Sequence, residues 1–208
     1  RVLPEGPATE LGARLDRIGG QIARARGIID HMRVYGRKDL PGQQNCDPIA
    51  LLHGLETVLG EQLRLLLIKL EIVCERPMPR VTIGEGQLEQ VLINVVLNAR
   101  DAILGLAASG ASCKGTITIV CETVPAQSAV RFLVTDTGGG ISESVLPRLF
   151  EPFFTTKPPG VGTGLGLSVA FGILKDNGGS ITARNVTHGA EFTVTVPVAA
   201  ERAPEAAA

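Results

Sequence analysis

Gly162-Thr163-Gly164-Leu165-Gly166-Leu167 runs straight into the apolar stretch Ser168-Val169-Ala170-Phe171-Gly172-Ile173-Leu174. Alternating glycines that open a helix leave backbone N–H groups unpaired in front of the positive end of the helix dipole. With no Cβ in the way, a phosphate can approach those groups closely. Two familiar phosphate-binding patterns do not fit: no strand leads directly into the glycines, and Gly-Lys-Ser/Thr is absent. A glycine turn alone serves equally well as a plain loop, so the surrounding chain has to decide.

Upstream, Glu85 to Leu106 has helical spacing, with Leu88, Val91, Leu92, Val95, Ala99, Ala102, Ile103 and Leu106 forming a core face. Opposite them stand Gln90, Asn94, Asn98 and Asp101, three and four residues apart. A water-facing stripe normally carries Lys and Glu, because Asn is a poor helix former. Asn94 and Asn98 also sit among Ile93, Val95, Val96 and Leu97, so the stripe is expected to line a partly buried site. Amide oxygens and one carboxylate on a helix face suit Mg²⁺, which takes few protein ligands and fills its shell with water and phosphate oxygens.

Between these elements, Gly115 to Thr123 and Ala129 to Asp136 alternate as strands, joined as a hairpin through Pro125-Ala126-Gln127-Ser128. The second strand ends in Asp136-Thr137-Gly138-Gly139-Gly140, which suits a flat ligand approached closely, the carboxylate accepting from an amino group. Ile141 to Val161 lacks periodicity and carries Phe150-Glu151-Pro152-Phe153-Phe154-Thr155-Thr156-Lys157; its length predicts a lid, and its phenylalanines predict that the lid docks. After the glycine helix, Asp176-Asn177-Gly178-Gly179 is a helix stop. Ser180 to Asn185 and Glu191 to Val198 then pair around His188-Gly189.

The first part of the chain reads differently. Leu11, Leu15, Ile18, Ile22, Ala25, Ile29 and Met32 form a heptad seam with arginines on the other face, predicting a long amphipathic helix that packs along its length. Leu40-Pro41-Gly42 marks a boundary, and Asp47-Pro48 predicts an N-cap and a helix to about Leu59. Arg64 to Cys74 is rich enough in Leu, Ile and Val to predict a strand, closed by Arg76-Pro77-Met78-Pro79.

Composition sets limits. The chain has 208 residues, 44% of them apolar, and a net charge of −1, which gives no drive towards nucleic acid or an anionic membrane surface. Leu63 to Val73 is too short and too charged to span a bilayer. Cys46, Cys74, Cys113 and Cys121 show no metal-site spacing and are expected as reduced, mostly buried thiols of a cytoplasmic protein. The chain opens on Arg1 rather than Met, as a piece of something longer would, and the tail from Ala199 is expected to be disordered.

Together the motifs resemble the ATP-binding domain of sensor histidine kinases, within the ATPases that include gyrase, Hsp90 and MutL. The N-box is similar to Gln90 to Ala102, the first glycine box to Asp136 to Gly140, the F-box to Phe150 to Phe154, and the second glycine box to Gly162 to Leu167. The resemblance covers 45–198. It implies an α/β (α+β) two-layer sandwich, a mixed sheet packed on three helices, with ATP beneath a mobile lid and a long amphipathic helix in front.

By resemblance, Asn98 coordinates Mg²⁺ with Asn94 assisting, and Asp136 binds the adenine amino group, with Gly138 and Gly140 admitting the ring. Gly164, Leu165 and Gly166 offer N–H groups to the phosphates, Lys157 reaches the γ-phosphate, and Thr193 supports the adenine through water. Asp101, Ala102, Ile141, Thr163 and Leu167 complete the nucleotide-binding set. ATP-hydrolysing relatives carry a glutamate where Asn94 stands. An amide cannot take a proton from water, so transfer to a protein histidine is favoured over hydrolysis.

Residues 1–40 resemble the second helix of a dimerisation hairpin, implying a homodimer in the longer protein. His31, His53 and His188 lack the phosphoacceptor context, so the hairpin's first helix, which would carry the acceptor histidine, is expected either to be missing or to lie upstream of Arg1. A response-regulator receiver domain is the implied downstream partner; no contact of this segment with membrane is implied, and an anchor elsewhere in the parent is left open. The competing readings are a non-catalytic ATP-binding regulatory module and a plain helical dimerisation protein; the second leaves both glycine boxes unexplained.

Overall fold

The computed structural model describes residues 45–108, 114–158 and 162–199. The heptad helix, the boundary at Leu40-Pro41-Gly42, Cys113, part of the lid loop and the tail beyond Ala199 lie outside the described residues.

Helix α1 spans Pro48–Leu65. Asp47 Oδ1 accepts from Ile49 N at 2.9 Å and Ala50 N at 3.3 Å, and Pro48 occupies a first-turn position that needs no N–H donor. The helix outruns its expected end at Leu59. Leu51, Leu52, Leu55, Leu59 and Leu63 keep one buried stripe, and Arg64 pairs with Glu61 one turn earlier at 2.8 Å. The strand expected from Arg64 therefore begins only at Ile68, after Leu67 turns the chain in the left-handed region (φ 60°). β1 spans Ile68–Cys74.

Helix α2, Glu85–Ala108, crosses over to β2, Gly115–Val124, which pairs with β1 in parallel. A short 3₁₀ turn, Pro125–Gln127, leads to the antiparallel β3, Ala129–Asp136. The lid loop and helix α3, Gly166–Asp176, follow, then β4, Ser180–Val186, and β5, Gly189–Pro197. The strand order β1-β2-β3-β5-β4 makes a mixed sheet, parallel at one edge and antiparallel across the rest. Among the described residues, three α-helices and one mixed sheet agree with the expected two-layer sandwich.

Strand alternation assigns the faces. Ile117, Ile119, Phe132, Val134, Phe192, Val194 and Val196 are buried under Leu88, Val91, Leu92, Val95 and Val96 of α2 and Val169, Ala170 and Leu174 of α3. Of the face predicted for α2, Leu106 is 37% exposed and Ala102 half-buried; both face the glycine loop after β3, where a Cβ on Gly138 would lie 2.6 Å from that of Ala102 and one on Gly139 3.4 Å from Leu106 Cδ1. The far face of the sheet carries ion pairs such as Arg184 with Glu191 at 2.7 Å. Glu85–Ala108 is long and apolar enough to cross a bilayer by composition; here its apolar stripe is the core of the sandwich. Cys46, Cys74 and Cys121 are free thiols, and burial pushes Cys46 up to about 12 and raises Cys121 as well.

Helix α3 ends where expected. Gly178 takes φ 70°, and Gly179 N donates to Leu174 O at 2.7 Å, closing the last turn.

Candidate functional site

The polar stripe of α2 does line a site. Asn94, Asn98 and Asp101, with Leu97 and Arg100, form one wall of a cleft of about 290 Å³. The opposite walls come from Val145, Leu149 and Phe154 to Lys157 of the lid loop, and from Gly162, Thr163, Gly164, Gly166 and Leu167. Gln90 Nε2 donates to Asn94 Oδ1 at 3.1 Å, tying the stripe together along the helix. Helix α3 starts beside it, so close that a Cβ on Gly166 would lie 3.5 Å from Asn94 Oδ1. The first closed helical bond is Val169 N to Leu165 O, so the N–H groups of Gly166, Leu167 and Ser168 sit in the open first turn. Leu165 itself is buried and does not line the cleft.

The glycines here have a second reason to lack side chains. A Cβ on Gly164, at φ 65°, would meet the carbonyl carbon of Phe153 at 2.4 Å, and one on Gly162 would meet Thr155 Oγ1 at 2.5 Å. The glycine turn is thus packed against the lid backbone, and the two motifs form one folded unit. Within it, Phe150 stacks on Phe171 with ring centroids 5.8 Å apart, and Arg148 lies 4.3 Å over the Phe154 ring. Phe153 projects outwards, 62% exposed and in the left-handed region (φ 65°). Two of the three phenylalanines therefore dock as the sequence suggests.

Charge in the cleft is arranged around Asp101. Its Oδ1 accepts from Arg100 Nε at 2.7 Å and its Oδ2 pairs with Lys157 Nζ, joining α2 to the lid. Lys157 therefore reaches the cleft while held by a carboxylate. Among the described residues no group of three or more His, Cys, Asp or Glu is placed to cage a metal. The donors on offer are the amides of Asn94 and Asn98, one helical turn apart, beside Asp101. That set is too small for Zn²⁺ or Ca²⁺ and fits Mg²⁺, which keeps most of its water and phosphate ligands.

The end of β3 is built differently. Asp136 is 3% exposed, a charged residue on the core face with Phe132 and Val134. Its Oδ1 accepts from Gly138 N at 2.7 Å and Ala190 N at 3.3 Å, while Oδ2 has no hydrogen bond among the described residues. Burial raises its pKa, partly opposed by those two N–H donors. Gly138 packs on α2, where a Cβ would meet that of Ala102 at 2.6 Å. Gly139 and Gly140 follow at φ 84° and 86°. Asp136, Ala102, Gly138, Gly140 and Ile141 do not line the cleft. They cluster just beyond it, linked through the neighbouring α2 residues Asp101 and Ala102.

Thr193 is placed elsewhere. Phe192 and Val194 on either side of it are buried in the core, so Thr193 points to the far face of the sheet, away from Asp136. The sequence reading also missed contributors. Arg100, Phe154, Thr155 and Thr156 line the cleft, and Asn185 and Gly189 hold the loop after Asp136. Arg100 and Phe154 stood inside recognised motifs and Thr155 and Thr156 directly after one, whereas Asn185 carried no sequence signal.

Comparison with known proteins agrees with this geometry. The two-component sensor PprA of Pseudomonas aeruginosa is 41% identical over 192 residues, covering 91% of this chain and 20% of PprA. The catalytic domain of histidine kinase ThkA superposes with a TM-score of 0.64 at 31% identity, covering 74% of this chain and 94% of that one. ThkA in complex with the response regulator TrrA superposes at 0.67 with 26% identity, covering 94% of this chain and 53% of that one. The chain spans between 19% and 37% of the length of the curated relatives it matches. Residues 84–200, more than half of the sequence, match the family described as histidine kinase-, DNA gyrase B-, and HSP90-like ATPase, and the chain belongs to that family.

Proposed function

We propose that this chain is the ATP-binding catalytic part of a sensor histidine kinase, which transfers the γ-phosphoryl group of ATP to a protein histidine for relay to a response-regulator aspartate. One observation carries the reading. The amide stripe, the open first turn of α3 and the lid converge on a single cleft, and a buried carboxylate with a free oxygen ends β3, where the following glycine loop packs on Ala102 of α2.

Each part has a role in this reading. Asn98, with Asn94, would hold Mg²⁺, which when bound neutralises phosphate charge. The N–H groups of Gly166 and Leu167, and the turn at Thr163-Gly164, receive the phosphate oxygens, and Leu165 anchors that turn in the core. Lys157, released from Asp101, and Arg100 add positive charge at the far phosphate. Asp136 Oδ2 accepts from the adenine amino group, and Gly138, Gly140 and Ile141 flank the ring. Phosphoryl transfer asks little more of a protein than positioning and charge neutralisation.

The acceptor comes from outside the cleft. His53 is exposed on α1, and His188 lies in the β4–β5 turn, outside the cleft walls. Asn94 cannot act as a base towards water, so phosphate is held for a histidine rather than spent in hydrolysis. We assign residues 1–40 to an incomplete dimerisation hairpin, 45–198 to the catalytic domain and 199–208 to a tail. The full protein is then a homodimer working in the cytoplasm, with or without an anchor elsewhere. The ThkA complex supports a receiver domain as the partner.

The test is calorimetry with ATP and Mg²⁺, followed by radiolabel transfer from γ-labelled ATP to a supplied histidine-bearing hairpin. Binding with transfer is expected. Binding without transfer would leave a regulatory nucleotide module, and no binding would overturn the reading.

A further inference from the structure

We infer that Asn185, on the edge strand β4, is a positioning residue that fixes the base end of the nucleotide site; this rests on the reading just given. Its side-chain amide acts as an extra rung of sheet. Ile141 N donates to Asn185 Oδ1 at 2.7 Å, and Asn185 Nδ2 donates to Ile141 O at 2.7 Å. Two short bonds to one residue's backbone N–H and C=O fix both position and direction of the chain where it leaves the glycine loop. Asn185 is an exposed residue, so these bonds rather than packing are what it contributes.

The clip belongs to a larger grip. His188 O accepts from Gly139 N at 3.2 Å, and Ala190 N donates to Asp136 Oδ1 at 3.3 Å. Gly189 lies so close that a Cβ would sit 1.9 Å from Asp136 O. The end of the β4–β5 hairpin therefore holds the loop at its start, middle and exit. Gly140 passes under the clip itself, where a Cβ would approach Asn185 Oδ1 to 2.9 Å.

The consequence is selective. Asp136 has one oxygen committed to the grip and one left for a ligand, so its aim depends on where the loop is held. Misplacement of a recognition group by about 1 Å costs orders of magnitude in aligned interactions. Losing the clip should weaken recognition of the base while leaving the phosphate cleft, built by α2, the lid and α3, as it was.

The experiment compares wild type with Asn185→Ala and Asn185→Ser in the full chain. Titration calorimetry measures affinity for Mg·ATP and for Mg·tripolyphosphate, which has no base, and hydrogen exchange reads the Ile141 amide. Asn185→Ala is expected to lose about 10-fold in ATP affinity, keep tripolyphosphate affinity and exchange Ile141 faster, with Asn185→Ser in between. Unchanged ATP affinity overturns the inference, as do equal losses for both ligands, which would mark general loosening. A wild type that binds neither ligand counts against the proposed function instead; slow exchange at Ile141, lost in Asn185→Ala, would still establish the clip.

Discussion

In the proposed reading, the two ends of the site, one for phosphate and one for the base, solve different problems with different parts. The phosphate end is a cleft of side chains, with amides on one helix, a carboxylate shared between two cations and a lid that carries its own aromatic packing. The base end is almost all backbone: glycines with positive φ, a carboxylate fixed by two N–H groups and a hairpin packed where side chains are missing. Highly charged polyphosphate calls for movable charge, which long side chains supply. A flat base of fixed shape calls for a preorganised edge, which a hydrogen-bonded loop supplies without ordering long side chains on binding.

The sharpest way to break this contrast is Asn98→Ala. It should remove Mg²⁺-dependent ATP binding, lowering affinity by about 100-fold or more, above the roughly 10–100-fold typical of losing a residue behind a metal ligand. Calorimetry with and without the metal reads it; an unchanged affinity would mean that the stripe is not the metal site.

Asp136→Asn should cost about 10- to 100-fold in ATP affinity, from a lost hydrogen bond to a charged group of roughly 1.5–3 kcal/mol. Its effect on stability has the opposite sign. Burial raises the folded pKa of Asp136 above its ordinary 3.8. The carboxyl's favourable contribution is thus complete below pH 3.8 and lost as pH rises through the raised value, leaving a buried charge at neutral pH. The Asn variant should therefore unfold at a higher temperature than wild type near pH 7, with the gain shrinking towards pH 3.8. A loss of stability at neutral pH would show that the carboxylate is needed for the fold as well as for the ligand.

The smallest effect is expected at the lid. Asp101 and Lys157 are partly exposed, and such pairs are worth about 0.2–1 kcal/mol. Asp101→Asn should raise chymotryptic cleavage at Phe153 and Phe154 by up to about 5-fold through easier opening, an effect that salt should imitate in the wild type. No change in cleavage would mean that aromatic docking alone holds the lid.

How much of this could be read from residues varies by element. Helix α2 was legible on both faces, since period and residue type agreed on core and stripe. The α1–β1 boundary was not, because Leu63 to Ile68 is apolar at both helical and strand spacing, and only burial of Leu63 on the helix stripe decides it. Thr193 was named by its motif, but motif position carries no strand phase; the pleat turned it away from Asp136. Asn185 gave no signal because its role depends on a residue 44 positions away.

By itself the sequence determined the layers, the order of the motifs and the chemistry on offer, because periodicity and side-chain type are local properties. The tertiary structure alone decided which motif touches which. It packed the second glycine turn on the lid backbone, committed Lys157 to Asp101, and set the hairpin against the loop after Asp136. Those outcomes depend on sheet register and on ångström-scale clearances between segments distant along the chain, which no local pattern encodes.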